Sequence, residues 1–519
     1  MKTKDLSKMA ILDRSVIQKV EKGRFVIDKD YNLNDARLVV PKGITIDLSN
    51  GSINNGTLVL DDTLLVNMSS GSIDARIEGT LRNSTIYTST FGGINNLNIA
   101  DYSDKTIKCD YLETNITSGI TISAANANGT TETIFDGLNN SFPCSASLFI
   151  FSNGAKNVTI KNFNATSLTP YNSPKKVFVD MNSANSNYKS IKITGNHILN
   201  FNVGISLNND NNSYIVSDCL VKDNTIESCI GTNSGYGYGI HMANAYNCII
   251  SSNIIKYCQR HSIYHAYGGN NHIINNYIAE HRKNITDYSP RAAIDICRKS
   301  KNILVKNNSF IKCNNICIYI SSIIYTDDGE DGATHRFRYG HCENIIIEEN
   351  AFIMAYTTEN VGGLSNIMIG NCTHSYTELE NADALVKEVF IINNTFDKTS
   401  SESQKCIRVD QCLQLSITGN SFQFSLPSSP STSKYWIINF QDTTVSTSKM
   451  LASIIKNIFT YYGTNPGSHI FVLGDYMSLV TSQNNPDYVI KWFNNNFNNQ
   501  GTSNYEFYEG TAGDGLIVL

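Results

Sequence analysis

The sequence predicts an all-β chain folded as a parallel β-helix, a solenoid of stacked three-sided coils. Three observations carry this: an Asn-centred phrase that recurs nine times, a second strand phrase lying between its copies, and a composition rich in strand-forming residues but only 17% charged. Solenoid repeats pack only on their neighbours, so 519 residues need not be divided among several globular cores.

The Asn phrase is two or three apolar or β-branched residues, a short polar link, Asn, any residue, then Ile or Phe. Its copies centre on Asn196, Asn224, Asn253, Asn276, Asn308, Asn350, Asn394, Asn420 and Asn457. Successive numbers differ by 28, 29, 23, 32, 42, 44, 26 and 37. The shortest interval suits one turn of a three-stranded coil, and the longer ones imply insertions at one corner. Asn belongs at such a bend because it tolerates a left-handed backbone, and stacking turns these side chains into a hydrogen-bonded ladder.

The second phrase is Val-Gly-Ile205-Ser-Leu, Tyr-Gly-Ile240-His-Met, His-Ser-Ile263-Tyr-His, Ala-Ala-Ile294-Asp-Ile, Ile-Cys-Ile318-Tyr-Ile and Lys-Cys-Ile407-Arg-Val. Period-two alternation points each Ile inward and the next residue outward. An exposed row is therefore expected at Ser206, His241, Tyr264, Asp295 and Tyr319, with Arg408 farther along. His265 falls on the inward side of the same strand.

Upstream, Gly51-Ser-Ile-Asn-Asn-Gly56 and Gly71-Ser-Ile-Asp-Ala-Arg read as shorter opening coils. The expected organisation is an N-terminal arm, cap or attachment segment over 1–22, the β-helix over 23–490, and closing cap strands over 491–519. Exposed aromatics at Tyr435, Trp436, Tyr461 and Tyr462 suggest surfaces for burial between subunits.

Composition narrows the function classes. A net charge of −5 without a dense Lys/Arg cluster argues against nucleic acid, which needs a positive stripe along the phosphates. No membrane insertion is expected, and no signal peptide is recognised after Met1, so folding in a cytosol is the expectation. The 13 cysteines include no Cys-x-x-Cys pair, and those at 219, 229, 248, 258, 297, 317 and 406 sit in or beside apolar strand patterns, as reduced core residues do. Phosphate-loop, zinc-protease and nucleophile-elbow motifs are missing.

The densest polar constellation runs from His241 to Arg298 and beyond: His241, Arg260, His261, Tyr264, His265, Glu280, His281, Arg282, Asp287, Arg291, Asp295, Arg298 and Lys299. His241, Tyr264 and Asp295, on successive coils about 4.8 Å apart, are the candidate catalytic trio, offering acid, base and electrostatic partner for proton transfer. Arg260, His261, Arg291, Arg298 and Lys299 are candidate contacts for an anionic ligand. Proton abstraction beside a carboxylate would use Tyr264 or His241 as base; a two-carboxylate mechanism would pair Asp295 with a second carboxylate such as Asp287 or Glu280. The plain alternative is that these side chains only solvate and stack. The insertion from Tyr325 to Tyr339 adds Arg336 and Arg338 as glycan contacts. Its Asp327, Asp328, Glu330 and Asp331 have oxygens suited to Ca2+, but not in the EF-hand spacing. No other metal and no organic cofactor is expected.

The Gly-x-Ile/Leu opening coils followed by Asn-x-Ile/Phe coils resemble the right-handed parallel β-helices of the pectate-lyase-like superfamily, and more narrowly the β-helical tailspike or tail-fibre proteins of bacteriophages. The resemblance covers roughly 23–490. It implies a right-handed coil, a homotrimer, other phage tail proteins as partners and a place on the virion tail. It also implies a bacterial surface polysaccharide as ligand, either depolymerised or bound without cleavage. A free-standing polysaccharide lyase or glycoside hydrolase is the remaining expectation.

Overall fold

In a computed structural model the described residues are 10–17, 23–97, 99, 101–127, 129–169, 174–181, 186–208, 214–231, 236–280, 292–313, 316–321, 341–353, 365–370, 386–399, 405–409, 412–425, 435–440, 450–462, 470–474, 488–500, 507–508 and 516–518. They form a right-handed parallel β-helix. The chain divides into two compact units, Met1–Thr225 and Ile226–Leu519.

Unit 1 opens with Ala10–Ile11 pairing in parallel with Tyr31–Asn32, and a helical turn Arg14–Ile17 that buries Ile17. The long strand Ser52–Val66 pairs with Ser72–Leu81. Three faces are then established. Ile120–Ser123, Phe149–Ser152, Val177–Asp180 and Val203–Asn208 stack on the first. Thr133–Asp136, Lys156–Lys161 and Tyr188–Thr194 stack on the second, and Ser141–Cys144, Asn164–Ser167 and His197–Leu199 on the third. Its core aromatics meet edge to face, as in Phe149–Phe163 at 5.0 Å and 84°, because successive coils place them at unlike positions.

Unit 2 repeats the three faces. The first runs Tyr238–Ala243, His261–Ala266, Ala292–Cys297, Ile316–Ile320, Ser365–Ile369 and Lys405–Val409 and continues to Phe507–Tyr508. The strand Tyr488–Phe493 straddles residue 490, where the closing cap was expected, and pairs in full with Met450–Ile455. The extra length of the long repeats falls at two corners rather than one: between the third and first faces after Ala279 and Ile353, and between the first and second after Ile320 and Ile369.

The Asn ladder is present in both units. In unit 1 the Asn196 amide donates to Asn224 Oδ1 at 2.9 Å. In unit 2 Asn253, Asn276, Asn308, Asn350, Asn394, Asn420 and Asn457 each donate to the next, at 2.9–3.0 Å, and the series ends on Asn495, a copy the sequence reading placed in the cap. The left-handed residue is not the ladder Asn but the one before it: Gly195, Asp223, Ser252, Asn275, Asn307, Glu349, Asn393, Gly419, Lys456 and Asn494, with φ between 54° and 70°. That bend aims the following Asn inward, where its Oδ1 accepts the previous ladder residue's backbone N–H as well as its amide.

The Phe two residues after the ladder Asn forms a second interior column. Phe310, Phe352, Phe396, Phe422, Phe459 and Phe497 stack with centroids 4.7–5.2 Å apart and planes within 15°. The spacing is that of the strands themselves, so aligned positions force face-on stacking. The inward Ile of the second phrase is likewise buried at Ile205, Ile240, Ile263, Ile294, Ile318 and Ile407. The twelve described cysteines are buried thiols. Tyr461 is fully buried rather than exposed; Tyr462 is exposed, and the side chains of Tyr435 and Trp436 lie outside the described residues.

Candidate functional site

The first face of unit 2 sets the expected row in register: His241 opposite Tyr264, Tyr264 opposite Asp295, Asp295 opposite Tyr319, Tyr319 opposite Met368 and Met368 opposite Arg408. Its exposure is corrected. Tyr319 is 8% exposed and packs with Ala292, Ile316 and Met368, Asp295 is 9% exposed, and in unit 1 Ser206 is 1% exposed. Alternation fixes the side of a sheet to which a residue points but not what lies over that side, and in unit 2 an apolar layer forms outside it. Ala243, Ala266 and Cys297 form another part of that layer, with Tyr264 and Tyr267 packed on them.

At one end of the row lies a compact aromatic and titratable cluster. Tyr264 stacks on Tyr238 with centroids 5.4 Å apart and planes 8° apart. The His241 ring sits 5.2 Å from Tyr264 and 5.1 Å from Tyr238. Arg260 lies over Tyr238 at 5.6 Å, a cation–π contact. Sequence reasoning missed Tyr238; its place two residues before Ile240, matching His261 before Ile263, was the available signal.

His261 was expected to touch ligand, but it is buried, with Nδ1 2.8 Å from the Ala292 carbonyl and Nε2 3.6 Å from Asp295 Oδ2. It therefore braces Asp295 from behind. Burial holds the Tyr264 phenol well above its ordinary pKa, with the Cys297 thiol adding in the same direction. Cys297 Sγ donates to Tyr264 Oη at 3.2 Å. Tyr264 is thus held as its neutral phenol at neutral pH.

Arg298 and Lys299 occupy consecutive left-handed positions, φ 55° and 63°, at the turn leaving this strand. Arg298 lies 5.8 Å over Tyr267. Burial would lower its pKa, but Tyr264, Cys297, Tyr267 and Asp295 around it raise the value instead, so the cation persists. Lys299 is exposed. His265 points inward as expected: it is fully buried and pushed down to about 4 by desolvation, within a network of Ser300 and Asn271. Arg291, Arg336 and Arg338 lie outside the described residues, as do His281, Arg282, Asp287 and the acidic loop considered for Ca2+. Among the described residues no group of His, Cys, Asp and Glu is arranged to hold a metal, and no helix is long and apolar enough to cross a membrane.

The sequence matches no protein family profile and no curated protein. Among solved structures, the chain is similar to the catalytic domain of a GH87 alpha-1,3-glucanase in complex with nigerose (13% identity, 80% of this chain and 69% of that one, TM-score 0.48). It is similar also to an alginate lyase in complex with G6 (12%, 75% and 84%, TM-score 0.35) and to the ORF18 protein of Geobacillus virus E2 (11%, 82% and 62%, TM-score 0.33). These likenesses do not transfer residue roles; the fold itself rests on the strand pairing described above.

Proposed function

We propose that the chain is a phage tailspike or tail-fibre subunit whose unit 2 binds an anionic bacterial surface polysaccharide and cleaves it by β-elimination. The observation that carries the reading is the placement of His241, the protonated Tyr264 and the persistent Arg298 cation on adjacent coils of one face. Arg298, with Lys299 and Arg260, would neutralise the uronate carboxylate and so acidify the adjacent C–H. His241 takes that proton, the released electron pair forms the ring double bond, and the departing glycosidic oxygen takes the proton of Tyr264. Asp295, braced by His261, supports the Arg298 charge. Hydrolysis is less well served, because among the described residues of this face Asp295 has no register-adjacent carboxylate partner.

The partial burial of the trio favours one second reading, a receptor-binding appendage without catalysis. Incubating the protein with capsular and surface polysaccharides of candidate hosts, while following reducing ends and the ultraviolet absorbance of unsaturated uronates, separates the two. Cleavage with that absorbance, abolished in His241→Ala, is expected. Binding without new ends leaves the appendage, and reducing ends without absorbance would overturn β-elimination. The trimer that the tailspike reading implies is checked by light scattering, where a concentration-independent monomer would sink it.

A further inference from the structure

We propose that unit 1 carries a second, separate saccharide site, for a neutral, hydroxyl-rich oligosaccharide, in a polar cleft built across four successive coils. The cleft has a volume of about 700 Å³ and is lined by Asn55, Asp74, Arg76, Asn95, Asn96 and Thr121, among others. Its four levels follow from the pairing. Asn54 is opposite Asp74, Ile77 bridges to Ile99, and Asn95 Oδ1 accepts the backbone N–H groups of Thr117 and Ser118. Three coil spacings make the floor roughly 14 Å long, the reach of a short oligosaccharide lying along the coil axis.

A β-bulge shapes this floor. Between Asn54/Asp74 and Thr57/Arg76 the register shifts, so that Asn55 and Gly56 face Ala75 alone. Asn55 takes a left-handed φ of 56°, and a Cβ on Gly56 would meet Leu33 Cβ at 2.6 Å and the Ala36 carbonyl at 2.7 Å. Bulges re-aim side chains in this way beside functional surfaces.

The chemistry of the lining selects the ligand. Sugar hydroxyls donate and accept at once, and amides, a carboxylate, a guanidinium and a hydroxyl answer both roles. A polyanion is not favoured: the Arg76 Nε is engaged by Glu78 at 3.1 Å, and Asp74 offsets the remaining charge. Unit 2, with Arg260, Arg298 and Lys299 in its cluster, has the opposite balance. The inference does not depend on the reading of unit 2.

The test is saturation-transfer NMR and calorimetry on the full chain, with short neutral hexose and N-acetylhexosamine oligomers and a uronate oligomer of equal length as probes. Three proteins are compared: wild type, His241→Ala, and the double variant Asp74→Ala/Asn96→Ala, whose positions are both exposed so that folding is spared. The expected result is millimolar or tighter binding of a neutral oligomer, weakened about tenfold or more in the double variant and unchanged in His241→Ala. The proposal is overturned if no neutral probe binds at millimolar concentration, if binding survives the double substitution, if it is lost in His241→Ala, or if the uronate oligomer competes equally for the same residues. A failed polysaccharide-cleavage assay would leave this outcome untouched, so the two readings fail separately.

Discussion

Acidification should destabilise unit 2 through one buried side chain, His265. Its tautomer is fixed by its neighbours. Ser300 Oγ donates to the Cys297 carbonyl at 2.6 Å, so it must accept from His265 Nδ1, 2.7 Å away. Asn271 is itself oriented: its oxygen accepts from the Cys248 backbone N–H at 2.7 Å and its nitrogen donates to the Ala245 carbonyl at 2.8 Å. That nitrogen is therefore what faces His265 Nε2 at 2.7 Å, and Nε2 must accept. A second proton on the ring would face an N–H donor in a buried site. Burial accordingly pushes the pKa down to about 4, against 6.5 for an ordinary histidine. The sign follows: the unfolded chain binds the proton first as pH falls, so the contribution is complete above pH 6.5 and is lost progressively down to about 4. At about 1.4 kcal/mol per pH unit, the full loss is about 3 kcal/mol. Urea unfolding followed by far-ultraviolet circular dichroism at pH 7 and pH 4.5 measures it, with His265→Gln as the comparator that cannot titrate. The variant's drop in stability on acidification should be smaller than that of wild type by about 2 kcal/mol. Equal drops in the two proteins would refute the assignment of this network.

Asn308→Ala removes the acceptor of the buried Asn276 N–H and the donor to the Ile273 carbonyl and Asn350, and should cost about 3 kcal/mol or more in urea midpoints; Asn308→Asp should cost no less, because its second oxygen would face the Ile273 carbonyl and Asn350 Oδ1 in a buried site. Phe352→Ala opens the interior stack between Phe310 and Phe396 and should cost about 4 kcal/mol, read in the same assay, with Phe352→Leu well below it. Gly79→Ala places a Cβ 2.0 Å from the Leu60 carbonyl at a φ of +85°, so unit 1 should lose about 3 kcal/mol or fail to fold, visible as lost hydrogen-exchange protection in 52–81.

The ladder was legible because its chemistry admits so few residues. A side chain that accepts two N–H groups of one coil while donating to others has to be an amide, so Asn recurs in plain sight from Asn196 to Asn457. The bend beside it was illegible because Gly, Asp, Ser, Asn, Glu and Lys all fill it. Left-handed Asn does form a ladder elsewhere, on the outer corner at Asn247, Asn270, Asn302 and Asn344, joined at 2.9–3.3 Å. These Asn residues also precede apolar runs, as in Asn247-Cys-Ile-Ile, Asn302-Ile-Leu-Val and Asn344-Ile-Ile-Ile, so this corner was legible in the sequence as well, beside the more regular inner ladder.

The same distinction explains how the site was read. Register follows from counting in twos, so the order His241, Tyr264, Asp295, Tyr319 was available from the sequence. Protonation states were not, because they depend on the outer packing of Ala243, Ala266, Cys297 and Tyr267 around Tyr264. That packing divides the roles within one column. It keeps Tyr264 a neutral phenol and leaves Arg298 charged beside Asp295, and the proposed elimination accordingly gives the part of base to His241. A substitution that alters the layer where it meets Tyr264 but leaves the trio's own side chains in place, such as Cys297→Ser, should then lower the Tyr264 pKa and shift the alkaline limb of any pH–rate profile downward, whereas a purely structural layer would leave that limb in place.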